Sequence, residues 1–129
     1  MDEKARHELG METRRAVLGD DHVDRAESLK SEFDRDFQDL ITRYAWGEIW
    51  TRAGLSRHTR SLVTIGLMVA LNRGEELRMH LRAAKNNGVT AEEIREVLLH
   101  CAVYCGAPAA NAAFHAAREV LMEGGGAAG

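Results

Sequence analysis

The run Leu62-Val63-Thr64-Ile65-Gly66-Leu67-Met68-Val69-Ala70-Leu71 constrains this chain more than any other segment. Eight of its ten residues are apolar, so as a helix it has no polar face. A membrane span needs about twenty such residues, which excludes one here. A helix apolar all round must be covered on all sides. Either it is the central helix of a small bundle or a second subunit covers one face.

The rest of the chain makes a bundle the expected setting. Proline occurs once, at Pro108, in 129 residues, β-branched residues are scarce, and alanine, leucine, arginine and glutamate are common. No alternating run is long enough for a confident strand. The spacing predicts a first helix over Lys4–Leu18, ended by Gly19-Asp20-Asp21, and a second from an Asp24 cap to Leu29. Phe33, Phe37, Leu40, Ile41 and Tyr44 recur every three or four residues, the mark of one buried face, on a helix stopping at Ala53-Gly54. Ser56 caps a helix over Arg57–Leu71, and Asn72-Arg73-Gly74 is a tight connection or a kink. Glu75–Lys85 is amphipathic and stops at Asn86-Asn87-Gly88. Thr90 and Glu93 form a capping box for a helix with Ile94, Val97, Leu98 and Cys101 inward. Gly106-Ala107-Pro108 separates it from the alanine-rich Ala109–Met122. The expected fold is all-α, with six or seven helices in one domain over 1–123. Residues 124–129 are expected to be a flexible Gly/Ala tail.

A net charge of −3 and a pI near 6.1 argue against nucleic acid as a partner. The N-terminus carries mixed charge and no apolar stretch, so no secretory signal is read, and no membrane association is expected. Two cysteines, Cys101 and Cys105, exclude a disulfide scaffold and suit a cytoplasmic chain with reduced thiols. Their C-x3-C spacing fits neither a C-x-x-C redox pair nor a zinc site, so no metal is expected, and buried structural thiols are the plain reading.

Chemistry concentrates in two places. Glu76 and His80 are i and i+4 on one helix, with Arg73 three residues before Glu76. A carboxylate beside an imidazole orients the ring and favours its protonated form. A solvated Glu/His pair on a helix surface has the same spacing and is commoner. Arg57, His58 and Arg60 gather at a helix start, which itself attracts anions, as a carboxylate pocket or as a solvated helix end. Tyr44, Trp46 and Trp50 are expected in the core or at a subunit interface. Tyr104 could present its hydroxyl to a pocket, and His115 reads as packed or surface. Dinucleotide, P-loop, HExxH and nucleophile-elbow motifs are missing from the sequence, so no cofactor is expected.

Five segments together resemble the carboxymuconolactone decarboxylase family. They are Leu40-Ile-Thr-Arg-Tyr-Ala-Trp-Gly-Glu-Ile-Trp-Thr-Arg52, Arg57-His-Thr-Arg-Ser-Leu-Val-Thr-Ile, Glu75-Glu-Leu-Arg-Met-His-Leu-Arg-Ala-Ala84, Asn86-Asn-Gly-Val-Thr90 and Tyr104-Cys-Gly-Ala-Pro-Ala-Ala-Asn111. Gly10, Arg14-Arg15-Ala-Val-Leu-Gly19 and Val23-Asp-Arg25 extend the likeness over roughly Gly10–Met122. Ala53, where that family is expected to carry proline, and the glycine-rich tail depart from the pattern.

The resemblance implies an all-α, alkylhydroperoxidase D-like helical bundle that forms a homotrimer or homohexamer. The related peroxidases carry C-x-x-C-x-x-x-H. Here Arg73 and Glu76 occupy the cysteine positions and His80 the histidine, so dithiol peroxidase chemistry is not expected. The implied reaction is cofactor-independent loss of CO2 from γ-carboxymuconolactone, a small dicarboxylate lactone, giving β-ketoadipate enol-lactone in protocatechuate catabolism. In that reading His80 is the general acid, Glu76 its orienting partner and Tyr104 a donor to the lactone oxygen. Arg57, Arg60 and Arg73, with His58 in the same cluster, meet the substrate carboxylates. A non-catalytic helical assembly or small-anion-binding module is the alternative on the same fold, and a thiol peroxidase a further one.

Overall fold

The computed structural model describes residues 1–123; the tail expected at 124–129 lies outside the described residues. Seven helices and no strand are present among them: α1 Glu3–Leu18, α2 Asp20–Leu29, α3 Arg35–Ile41, α4 Arg57–Ala70, α5 Gly74–Asn86, α6 Ala91–Tyr104 and α7 Ala107–Met122. Helix α3 runs on into a π-helix, Thr42–Ile49. No helix is long and apolar enough to cross a membrane. The chain falls into two compact units, Met1–Arg57 and His58 onward.

In the first unit, Asp2 caps α1 by accepting a 2.7 Å hydrogen bond from the Ala5 N–H. Gly19, at φ 92°, ends α1. Helix α2 then starts at Asp20, four residues earlier than expected, because Asp20 and Asp21 suit the positive end of a helix. Helix α1 crosses the π-helix through two glycines. A Cβ on Gly10 would lie 1.9 Å from the Thr42 carbonyl oxygen, and one on Gly47 would lie 2.6 Å from the Arg6 carbonyl oxygen. Only glycine allows this approach.

That crossing corrects the expected buried face. Phe33 is 98 % exposed, Phe37 and Leu40 are exposed, and Tyr44 reaches out under the Arg6 guanidinium. Phe33 precedes α3, and from Thr42 the hydrogen bonds run i to i+5, as Trp50 N–H to Ala45 C=O does at 2.9 Å. The α-helical spacing therefore no longer marks one face, and Thr42, Trp46 and Gly47 are buried instead. Trp50 is half-buried and stacks on Trp46 at 5.2 Å.

The second unit is built on one apolar cluster from four helices. Ile65 and Val69 of α4 meet Leu77 and Leu81 of α5, Ile94 and Leu98 of α6, and Ala113, Ala116 and Ala117 of α7. Ile65 and Leu98 are fully buried, worth about 1.5–3 kcal/mol each. The alanines of α7 let neighbouring helices approach closely. Among the described residues, helix α4 keeps one apolar side exposed. Val63, Leu67 and Leu71, four residues apart, form an exposed stripe, with Leu67 51 % exposed. Of the two expectations for the apolar run, the central position is not realised on this face.

Candidate active site

The site begins at the end of α4. The Arg73 N–H donates to Met68 C=O at 2.9 Å and the Asn72 N–H to Val69 C=O at 3.2 Å, with Asn72 at φ 59°. This is a Schellman ending, and asparagine tolerates the left-handed position it needs. The chain reverses and Arg73 becomes the N-cap of α5. Helix α5 closes in the same way, with Gly88 at φ 79° and Val89 N–H on Ala84 C=O at 3.0 Å. Asn87 Nδ2 donates to Ser61 Oγ at 2.7 Å, tying the C-terminus of α5 to the N-terminal part of α4. The two helices are antiparallel.

Helix α5 has two polar flanks around its buried Leu77–Leu81–Ala84 face. Glu76, His80, Ala83 and Asn87, spaced four, three and four, make the flank toward α4. Glu76 is exposed in the first turn and His80 is half-buried one turn on. Arg78 and Arg82 make the flank toward α7. Arg78 pairs with Glu119 at 3.1 Å, and Arg82 holds Glu123 with two hydrogen bonds, at 2.8 and 2.9 Å. Both pairs join residues 41 apart, so α5 and α7 run parallel.

A cleft of about 390 Å³ opens where the α4–α5 turn meets α7. Arg73, Arg78, Arg118, His115 and Asn111 line it above a floor that includes Val69 and Leu77. Glu119 bridges two of these side chains, reaching Arg78 at 3.1 Å and His115 at 3.2 Å.

Of the residues singled out from sequence, only Arg73 lines this cleft. Glu76 and His80 sit on the other flank of α5. Arg57, exposed, and Arg60, half-buried, lie in the first turn of α4. The antiparallel hairpin puts His58 and Arg60 at the end remote from Arg73; His58 to Asn72 is fourteen residues, roughly 20 Å along a helix. His58 Nε2 lies 2.8 Å from Glu93 Oε2. That bond, and then the Thr90 N–H, hold the Glu93 carboxyl below its ordinary range. Tyr104 is 78 % exposed at the end of α6, its ring 4.9 Å from that of His100. Arg78 and Arg118 line the cleft but were not singled out from sequence, and His115, expected as packed or surface, lines it too. Asn111, His115 and Arg118, four and three residues apart, do form a polar stripe on an otherwise alanine-rich helix.

The Cys101 thiol is not built for peroxide chemistry. Cys101 is buried, and burial pushes its thiol pKa up, with Cys105 adding to the effect. A reactive cysteine needs the thiolate, which this environment disfavours.

The sequence pattern of the Carboxymuconolactone decarboxylase family matches residues 35–119. The chain is 54 % identical over 123 residues to the 4-carboxymuconolactone decarboxylase of Acinetobacter baylyi, covering 95 % of this chain and 92 % of that one. It is 50 % identical over 99 residues to the nitrosuccinic acid decarboxylase npaB of Metarhizium robertsii, covering 77 % and 69 %. A 48-residue stretch is 54 % identical to a Pseudomonas putida 4-carboxymuconolactone decarboxylase, 37 % of this chain and all of that sequence. The chain belongs to the carboxymuconolactone decarboxylase family.

Proposed function

We propose that this chain is a carboxy-lyase that converts γ-carboxymuconolactone to β-ketoadipate enol-lactone and CO2 in protocatechuate catabolism. The observation that carries this is the 54 % identity along 95 % of the chain with a decarboxylase of that substrate. The family match crosses the boundary at residue 57, which supports one functional domain over 1–123.

The lactone supplies its own electron sink. The carbon–carboxylate bond breaks, its electron pair moves through the ring C=C to the lactone carbonyl, and CO2 leaves. The resulting dienolate takes a proton on the carbon α to the carbonyl. His80 supplies that proton and recovers one from solvent, a role typically worth 10²- to 10⁴-fold. Glu76, one turn before it, orients the ring and favours its charged form. Arg60 and Arg73 hold the carboxylates, arginine matching both oxygens of each, with Arg57 and His58 extending the cationic surface. Tyr104 donates to the lactone oxygen. Because the α4–α5 hairpin separates Arg60 from Arg73, a second subunit brings such groups together. The exposed Val63–Leu67–Leu71 stripe supports a homotrimer or homohexamer, working in the cytoplasm.

The test is a coupled assay in which lactone made enzymatically from protocatechuate is presented to the purified chain. Rapid enol-lactone formation, reduced at least a hundredfold by His80→Ala, is the expected result. Turnover that survives this change moves the proton donor elsewhere. No turnover by folded protein overturns the function.

A second substrate is favoured by the 50 % identity to a nitrosuccinic acid decarboxylase. Nitrosuccinic acid is also a diacid, and its nitro group takes up the electrons released by the departing CO2. Comparing kcat/KM for the two substrates on one preparation decides between them.

A further inference from the structure

The cleft beside α7 lies on the flank of α5 away from Glu76 and His80, and the proposed chemistry uses only Arg73 of its lining. Its charge is unbalanced. Arg73, Arg78 and Arg118 contribute three positive charges and Glu119 one negative, a surplus of two. Among the described residues neither Arg73 nor Arg118 has a carboxylate partner, whereas Arg78 and His115 are held by Glu119. The two unpaired guanidinium groups come from different elements, the α5 cap and α7, with apolar Val69, Leu77 and Ala113 also in the lining. A volume of about 390 Å³ is that of a small-molecule pocket.

We infer that this cleft is a second anion site, which takes a small aliphatic dicarboxylate with one carboxylate on Arg73 and the other on Arg118. The charge surplus matches a dianion, and each arginine fork can receive one carboxylate. The carbon chain between the two carboxylates rests on the apolar lining. A single compact anion such as phosphate would leave one arginine and that lining unused. Because the proposed function also gives Arg73 to the substrate, a dicarboxylate in the cleft competes for it and weakens substrate binding. That consequence rests on the proposed function; the site does not.

Adipate is the probe, a saturated dicarboxylate with neither leaving group nor electron sink. Calorimetry should show adipate binding to the wild-type protein and to His80→Ala. It should be weakened at least tenfold by Arg118→Gln. Ala112→Asp, which places a negative charge at an exposed position lining the cleft, should weaken it similarly. In the decarboxylase assay adipate should inhibit the wild type and lose that effect on Arg118→Gln, whose kcat/KM without adipate stays within twofold. No binding by wild type, binding unchanged in both cleft variants, or binding lost in His80→Ala overturns the site. A raised substrate KM in Arg118→Gln also overturns it as a second site, since the cleft is then the substrate's own pocket. If the chain turns over no lactone, the calorimetry still decides the cleft.

Discussion

Glu119 is set between two side chains of the cleft, Arg78 and His115. All three side chains are substantially exposed, so each pair contributes only about 0–1 kcal/mol. Its effect is positional: it keeps Arg78 on α7 and leaves Arg73 and Arg118 as the free charges. Glu119→Gln is therefore expected to leave thermal stability within about 1 kcal/mol of wild type by denaturant titration. Cys101 makes a sharper prediction. Its thiol should resist alkylation of the native protein at pH 7–8 and react only at higher pH or after unfolding, as peptide mapping of labelled protein would show. Fast labelling of native Cys101 would revive the thiol-peroxidase alternative. Arg73, Glu76 and His80 were legible as candidates because helical spacing is written in sequence. Arg118 was not, because only the opposing turn of α4 and α5 makes it part of a cleft.

At the scale of elements, α1 and the π-helix depend on two glycines that let backbones touch. Gly10→Ala puts a methyl group against the Thr42 carbonyl, and relief requires the helices to separate. We expect a loss of about 1–3 kcal/mol or more, read as a lower Tm, with far-UV helicity reduced in step if the first unit melts separately. Ala16→Gly, on the exposed side of α1, serves as the control and costs about 1 kcal/mol by propensity alone. Helix α6 is held by its cap. Thr90 Oγ1 accepts from the Glu93 N–H at 3.1 Å, and Glu93 Oε1 accepts from the Thr90 N–H at 2.9 Å. Thr90→Ala should cost about 1 kcal/mol in denaturant titration. Glu93 also gives the pH dependence a sign. Its folded pKa lies below its ordinary 4.5, so the stabilisation is fully present above that value and is lost as pH falls through the lower folded one. Glu93→Gln should flatten the fall in Tm on acidification, and an unchanged acid profile would show that the bond to His58 adds nothing. The capping box, both Schellman stops and five of the seven helix starts could be read to within two residues. The π-helix could not, since nothing in Thr42–Ile49 distinguishes an i to i+5 ladder from an α-helix until Gly10 is brought against it.

For the whole molecule, the apolar run of α4 remains the controlling feature. One side of it, through Ile65 and Val69, is the core of the second unit, while Val63, Leu67 and Leu71 face out. Sedimentation should give a multiple of the 14.3 kDa chain mass, three or six. Leu67→Glu should shift the protein toward monomer without unfolding it and should lower activity with assembly. A monomeric wild type at micromolar concentration would refute the assembly and leave the exposed stripe without an occupant.

The sequence by itself determined the helical class, most helix limits and the family resemblance, because periodicity, caps and turn residues act over a few positions along the chain. It also placed His80 one turn from Glu76. Only the tertiary structure decided which side of α4 is buried, where Phe33 and Phe37 point, and which cations share a cleft. Those outcomes depend on how helices rotate and cross, and that is set by packing between residues tens of positions apart, such as Arg78 with Glu119 and Ser61 with Asn87.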